Sequence, residues 1–172
     1  KMIVETKRLF VREWVMDDLE SALGLWGDPK VMCLIDSRGA LNLDQVREKL
    51  INEIAQQTKY GVQYWAVVEK ETQEIIGCCG LRPYGSGNKN YEIGFHLMSR
   101  QWGRGFATEV ALGVIEYAFK VKRVPLLFAG HNPENQASAK LLLKLGFQHV
   151  REEFYEPTGL MHPSYELKNP AD

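Results

Sequence analysis

Cysteine is scarce in this chain and poorly placed for bonding. The three residues cannot all pair, Cys78 and Cys79 are adjacent, and Cys33 stands alone. That spacing excludes a disulfide framework, a zinc site and a C-x-x-C redox motif. Free thiols in a reducing compartment are expected, which points to the cytoplasm. No apolar run reaches the roughly 18 residues that a membrane span needs, and the N-terminus lacks the apolar stretch of a signal peptide. Charge of one sign is missing too. Twenty-one Lys and Arg stand against 22 Asp and Glu, a net charge of −1, which argues against attachment to nucleic acid or an anionic membrane by bulk charge. No repeat, low-complexity tract or Pro/Gly-rich linker divides the 172 residues, so a single domain over 1–172 is expected. A chain of this length can bury a core without disulfides or structural metal. Lys1 precedes Met2, and Met2 is expected to be the natural start, with Lys1 a remnant.

What is present is patterned as mixed α/β. Arg8–Trp14 alternates like a first strand. Asp17, with Glu20 three positions on, predicts a capped helix carrying Leu19, Ala22, Leu23 and Trp26 on one face, stopped by Asp28-Pro29. A second helix is predicted from Asn42, with Gln45 in the capping-box position and Leu43, Val46, Leu50 and Ile54 buried. The 28–42 stretch between them is long enough to be functional. Strands over Tyr64–Glu69, Ile75–Leu81 and Tyr91–Leu97 follow, parted by a polar turn at 70–74 and a break at Pro83–Asn88. Apolar pairs recurring every fourth residue predict a long helix over Gly103–Val121. A short strand, Leu126–Gly130, comes next, then a helix from Asn135 to Leu145 ended by Gly146. Strands near Phe147–Tyr155 and Ser164–Lys168 close the chain. A strand, a crossover helix and a strand in mid-chain predict a parallel pair inside a mostly antiparallel sheet with helices on both faces.

The richest stretch runs from Glu92 through Arg100-Gln-Trp-Gly103-Arg104-Gly105 into the long helix. Glycines let backbone approach an anion closely, and a helix N-terminus offers free N–H groups and partial positive charge. Arg100 and Arg104 would add full charges. A Walker loop needs Gly-Lys-Ser/Thr, whereas Phe106-Ala107 follow Gly105. A dinucleotide fingerprint needs a third Gly or Ala where Thr108 sits and an acid some twenty residues later. Neither fits. Taken alone, the two glycines serve a tight strand-to-helix turn as well as a phosphate site.

Farther on, Asn135-x-x-Ser138 and Lys144-Leu-Gly-Phe147 follow. With Arg-x-x-Gly-x-Gly at 100–105, they resemble the GCN5-related N-acetyltransferase (GNAT) superfamily. Thr6-Lys-Arg-Leu-Phe-Val-Arg12, Tyr91-Glu-Ile-Gly-Phe95 and Trp102-Gly-Arg-Gly-Phe-Ala-Thr-Glu109 are similar to its ribosomal-protein N-terminal acetyltransferase branch. The resemblance spans nearly the whole chain in the right order. It implies acetyl-CoA as co-substrate and no metal. The donor's pyrophosphate would lie on the amides of Gly103, Arg104, Gly105, Phe106, Ala107 and Thr108. Its pantetheine would lie beside Leu97 and Met98 in the manner of an added strand, with Asn135 bonding it. Asn135 also suits plain helix capping, and Lys140 and Lys144 are either phosphate contacts or solvated charges.

The implied reaction is attack of a primary amine on a thioester. An ammonium cannot attack, so a base helps. Strand alternation puts Glu92, Gly94 and His96 opposite the core face. Glu92 is the first candidate base, although a solvated carboxylate or a salt bridge explains it as readily. His96 is the second and His131 an outsider. Relatives often carry a proton-donating tyrosine where Leu142 stands here, and leucine cannot donate. Ser138 is the replacement donor to the leaving thiolate, and Tyr155 a reserve. The resemblance places the acceptor between 28–42 and 155–163. There Asp28 and Asp36, with Trp14, Trp26 and Tyr155, are candidates that surface charge or core packing explains equally well. A peptide N-terminus and a small-molecule amine both remain open as acceptor, and so does a homodimer. The rival reading is a non-catalytic CoA-binding sensor, which an intact glycine loop would equally support.

Overall fold

The computed structural model describes residues 1–87 and 89–171; Asn88, within the predicted break, lies outside the described residues. Among the described residues, eight strands and five helices follow in chain order. They are β1 (Met2–Glu5), β2 (Leu9–Arg12), α1 (Leu19–Trp26), α2 (Pro29–Met32), α3 (Leu43–Tyr60), β3 (Tyr64–Glu69), β4 (Ile75–Tyr84), β5 (Asn90–Leu97), α4 (Phe106–Lys120), β6 (Leu126–Gly130), α5 (Gln136–Lys144), β7 (Gln148–Tyr155) and β8 (Leu160–Lys168). The strands form one sheet in the order β1-β2-β3-β4-β5-β6-β8-β7. Every neighbouring pair is antiparallel except β5 and β6, which run parallel. No helix among the described residues is long and apolar enough to cross a membrane.

Helices cover both faces. Phe106, Val110 and Val114 of α4 and Leu142 of α5 pack on Val11, Trp65, Val67, Leu81, Ile93 and Leu127. Leu25 of α1 and Val46 and Leu50 of α3 pack on the other face, against Tyr64, Ala66 and Cys78. All six residues of β3 are therefore buried, and its sequence reads as an apolar run, as expected of a strand covered on two sides.

Several local expectations hold and others shift. The Asn42–Gln45 capping box forms, each side chain bonding the other's backbone N–H at 2.9 Å. Ile54 packs half-buried on the core as expected, with Glu53 buried beside it, while Leu43 is exposed. The first helix starts after Asp18, one residue beyond the expected cap, and Asp18 makes no side-chain bond into it. Asp18 accepts from the Val15 N–H at 2.9 Å and grips the Arg12 guanidinium at 2.8 and 3.0 Å. Glu20 stays exposed. The first strand is shorter than Arg8–Trp14 because Trp14 turns inward and donates its indole N–H to the Tyr64 carbonyl at 2.6 Å. Strand β1, absent from the sequence reading, pairs with it. Asp28-Pro29 ends α1 as expected and also starts α2, with Asp28 accepting from the Lys30 N–H. Strand β4 continues through Pro83 to Tyr84, and β8 begins at Leu160 rather than Ser164.

Backbones approach closely where β3, β4 and β5 meet. A Cβ on Gly80 would lie 2.0 Å from the Gln63 carbonyl oxygen, and one on Gly77 would lie 2.3 Å from that of His96. Both obstacles are main chain, so neither can yield without parting the ladder. Gly80→Ala is therefore expected to destabilise the fold by about 3 kcal/mol or more, the upper end of overpacking costs. A urea midpoint within error of wild type would refute it.

Candidate active site

Strands β5 and β6 pair at only two positions, Tyr91 with Leu127 and Glu92 with Phe128. Beyond these they part, and a cavity of about 730 Å³ opens in the gap. Its floor is β5 from Glu92 to Leu97, and one end is the glycine loop with the N-terminus of α4. Its sides are the start of α5 and the β7–β8 hairpin.

The loop end is built from backbone. Gly103 and Gly105 hold φ of +80° and +77°, a left-handed conformation that favours glycine. A Cβ on Gly103 would meet nothing within 4 Å, so the requirement is conformational. The first amides of α4 have no partner within the helix, and Phe106, Ala107 and Thr108 line the cavity. Arg8 fixes the loop from behind. Its guanidinium donates to the Arg104 carbonyl at 2.9 Å and to Glu109 at 2.7 Å, while Thr6 donates to Glu109 at 2.6 Å. Burial raises the Glu109 carboxyl, but the bonds from Thr6 and Arg8 outweigh it and hold the pKa below the ordinary value.

The arginine side chains do not face this anion site. Arg104 donates to Glu69 at 3.1 Å and to Gln101 at 2.8 Å. Arg100 reaches Met98 Sδ at 3.4 Å and lies 3.8 Å from Glu74. Both find acceptors elsewhere, leaving main-chain N–H groups and helix polarity to attract an anion. The edge of β5 is also shifted. The Leu97 carbonyl accepts from the Trp102 indole at 3.0 Å, the Met98 N–H donates to Ile76, and the Met98 side chain is buried in the core. The stretch free of β6 is thus residues 93–96.

On the third side, Asn135 caps α5 by accepting from the Ser138 N–H at 3.1 Å. Both residues line the cavity and are half-buried. Lys140 and Lys144 are exposed outside it, and Leu142 is core.

Glu92, Gly94 and His96 face α3, as alternation predicts. Tyr64 lies across Gly94 so closely that a Cβ there would fall 2.4 Å from Cζ and 2.6 Å from the hydroxyl oxygen. Only glycine at 94 leaves room for this ring. Burial raises the Glu92 pKa, and the Arg82 charge and the nearby Tyr64 hydroxyl oppose it. Arg82 stacks 3.9 Å over the Tyr64 ring and bonds Glu53 at 2.7 Å. Glu53 also accepts from the Tyr64 N–H at 2.9 Å. His96 differs from the base sought in it. Burial, with the charges of Lys49 and Arg82, lowers its pKa to about 3, and Nδ1 lies 3.6 Å from Cys78 Sγ. His131 is fully engaged, since Nδ1–H donates to the Asn132 carbonyl and Nε2 accepts from Tyr165.

The acceptor candidates separate cleanly. Tyr155 lines the cavity beside His162. Trp14 and Trp26 are core residues. Asp28 accepts from the Ser99 N–H and hydroxyl, and Asp36 is paired with Arg38 at 2.8 Å, so both carboxylates are engaged. Ser37 N–H donates to the Pro157 carbonyl at 2.7 Å, joining the α2–α3 loop to the β7–β8 hairpin. No group of three metal-ligating side chains occurs among the described residues. Sequence reasoning missed Tyr64, Arg82, Glu53 and Lys49, which three separate elements bring together. Their signal was faint, namely charged residues at positions that the fold buries.

Residues 8–148 match the family model described as "Acetyltransferase (GNAT) domain". The chain is 32% identical to an uncharacterized N-acetyltransferase, p20, of Bacillus licheniformis, over 83% of this chain and 80% of that protein. It is 27% identical to the [ribosomal protein uS5]-alanine N-acetyltransferase of Escherichia coli (strain K12), over 60% and 53% respectively. Its fold superposes on RimL, a ribosomal L7/L12 alpha-N-protein acetyltransferase in complex with coenzyme A. The TM-score is 0.84 at 14% identity, covering 100% of both chains.

Burial makes the ionised Glu92 costly, and this gives a stability test. The folded state holds the Glu92 proton more tightly than the unfolded state, so this group's contribution to stability falls as pH rises past the ordinary carboxylate pKa. Glu92→Gln should therefore be more stable than wild type at pH 7, with the gap closing as pH drops to 4. Urea melts at the two pH values check it, and a gap that widens on acidification would reverse the sign.

Proposed function

The chain belongs to the GNAT acetyltransferase family, and on that premise we propose that it transfers an acetyl group from acetyl-CoA to a primary amine by direct attack in a ternary complex. The observation that carries this reading is the gap between β5 and β6. It joins a backbone anion site at one end to a half-buried carboxylate at the other, within one cavity.

The residues fit the donor. The amides of residues 103–108 suit its pyrophosphate, with Arg104 taking part through its main chain only. The free edge of β5 at 93–96 suits the amide groups of an extended arm, as an added strand would; Leu97 lines the path, and Met98 adds main chain at its end. Asn135 caps α5 through Oδ1, which leaves its NH₂ group to donate to the arm. Acetyl-CoA supplies the activated acyl carbon, and the chain's groups do the rest.

Glu92 acts as the base, taking a proton from the acceptor ammonium directly or through water. A carboxyl raised above its usual pKa is better matched to an amine than an ordinary one. The Tyr64 hydroxyl, packed over Gly94 beside Glu92, offsets part of that rise. A β5 N–H polarises the thioester carbonyl, and the Ser138 hydroxyl donates a hydrogen bond to the departing sulfur. The acceptor enters between the α2–α3 loop and the β7–β8 hairpin, beside Tyr155. A ribosomal-protein α-amine is one candidate, because the uS5-alanine enzyme is among the relatives. A small-molecule amine is the other.

Free-thiol release from acetyl-CoA across peptides, polyamines, amino acids and aminoglycosides tests the reaction. Tight CoA binding with no turnover in any class would favour the sensor reading. Gly105→Glu puts bulk and negative charge at the phosphate site and should weaken CoA binding by about 100-fold or more, measured by calorimetry; wild-type affinity would remove the loop from the donor site. Glu92→Gln should lower kcat/KM by about 100-fold or more, with CoA affinity retained. The loss should be greatest between the Glu92 pKa and that of the amine. It should shrink at higher pH, where the amine is already neutral. A pH-independent deficit would take the base role from Glu92.

A further inference from the structure

Lys49, on the inward side of α3, is a cation without a counter-charge. Among the described residues no carboxylate lies within 4 Å of its ammonium, which sits 5.1 Å from the Trp26 ring centroid. The groups around it are already committed. Arg82 and Glu53 bond each other, Asp36 holds Arg38, and Cys78 and His96 hold each other. Burial and the Arg82 charge both lower the Lys49 pKa, while Glu53, Cys78 and Asp36 only partly offset them. Half-buried over the Trp26 ring, the ammonium keeps capacity for an anionic partner. Lys49 lines the cavity described above. There its charge acts on His96, on the face of β5 that also carries Glu92.

We propose that the Lys49 ammonium anchors an anionic group of the acceptor, so that the acceptor is a small amine carrying a carboxylate several bonds from its nitrogen. This rests on the acetyltransferase reading and deepens it. The face is then dipolar along β5, with the Glu92 carboxylate for the amine and Lys49, near His96, for the acid. Glu92 and His96 lie four residues apart, about 13 Å along the strand, and the Lys49 ammonium reaches this face from α3, so the test below spans several chain lengths. A single ammonium favours a singly charged group, because Arg82 is engaged with Glu53 and Lys30 is solvent-exposed at the rim. An extended phosphate site would be expected to offer a guanidinium fork or a cluster of amides.

The test compares 4-aminobutyrate, 5-aminopentanoate and 6-aminohexanoate with their methyl esters, by thiol release from acetyl-CoA with wild type and Lys49→Gln. Wild type should prefer at least one acid over its ester by about 10- to 100-fold in kcat/KM, the scale of one charge-assisted bond, chiefly through KM. Lys49→Gln should bring that ratio to within about 3-fold, and Lys49→Glu should favour the ester. A structural role alone would depress acid and ester together and leave the ratio unchanged, which would overturn the proposal. Equal use of acids and esters by wild type, or turnover of peptide N-termini alone, would also overturn it. Lost CoA affinity in Lys49→Gln at an unchanged melting temperature would assign the ammonium to the donor instead. If no amine is turned over, the acetyltransferase reading fails by itself. Calorimetry with 6-aminohexanoate on the CoA-loaded protein then decides the anchor: binding to wild type and not to Lys49→Gln supports it, and any other result rejects it.

Discussion

The site depends on where one ladder stops. Two residue pairs join β5 to β6 before the strands diverge, and the main-chain groups released on β5 would be costly to leave buried and unpaired. The gap therefore calls for an occupant with amide-like polarity. The same divergence leaves room for the α4 N-terminus at one end and exposes the Glu92 face at the other. Had β6 paired along the whole of β5, the helix polarity, the carboxylate and the hairpin would be separate surface features.

Around that gap, hydrogen bonds hold the reactive face in place. Tyr64 is held by Glu53 at its N–H, by Trp14 at its carbonyl and by Arg82 over its ring. Burial, with the charge of Glu92, raises the pKa of its hydroxyl well above the usual value, so it remains a donor. Arg8 performs a comparable service for the glycine loop through the Arg104 carbonyl and Glu109. Preorganisation of this kind lets a few main-chain N–H groups act without the reorganisation that water would require.

Much of the fold was legible in the sequence because its signals are local. The Asn42–Gln45 box, the alternation of Tyr91–Leu97 and the four-residue rhythm of α4 each arise from neighbours a turn or a pleat away. The glycine loop was legible because glycine at 103 and 105 answers a backbone demand. The arginines misled, since nothing local reveals that Glu69, 35 residues from Arg104, will take its charge. His96 misled for the same reason. Its ordinary pKa suits a base, and burial beside two cations removes that property. Lys49, Glu53, Tyr64 and Arg82 were invisible as a group because a helix and two strands must assemble before they meet.

One contact also bears on how such proteins diverge. The Ser37–Pro157 hydrogen bond joins two loops that belong to neither the donor loop nor the Tyr64 cluster. Lengthening a surface loop costs little chain entropy, and loops accept change more readily than the elements they connect. Selection can thus remodel the proposed acceptor entrance by insertion or deletion at either side of this contact, while the sheet and the glycine loop keep their sequences. A lineage built this way retains one reaction and drifts through many substrates, and its shared motifs record the donor.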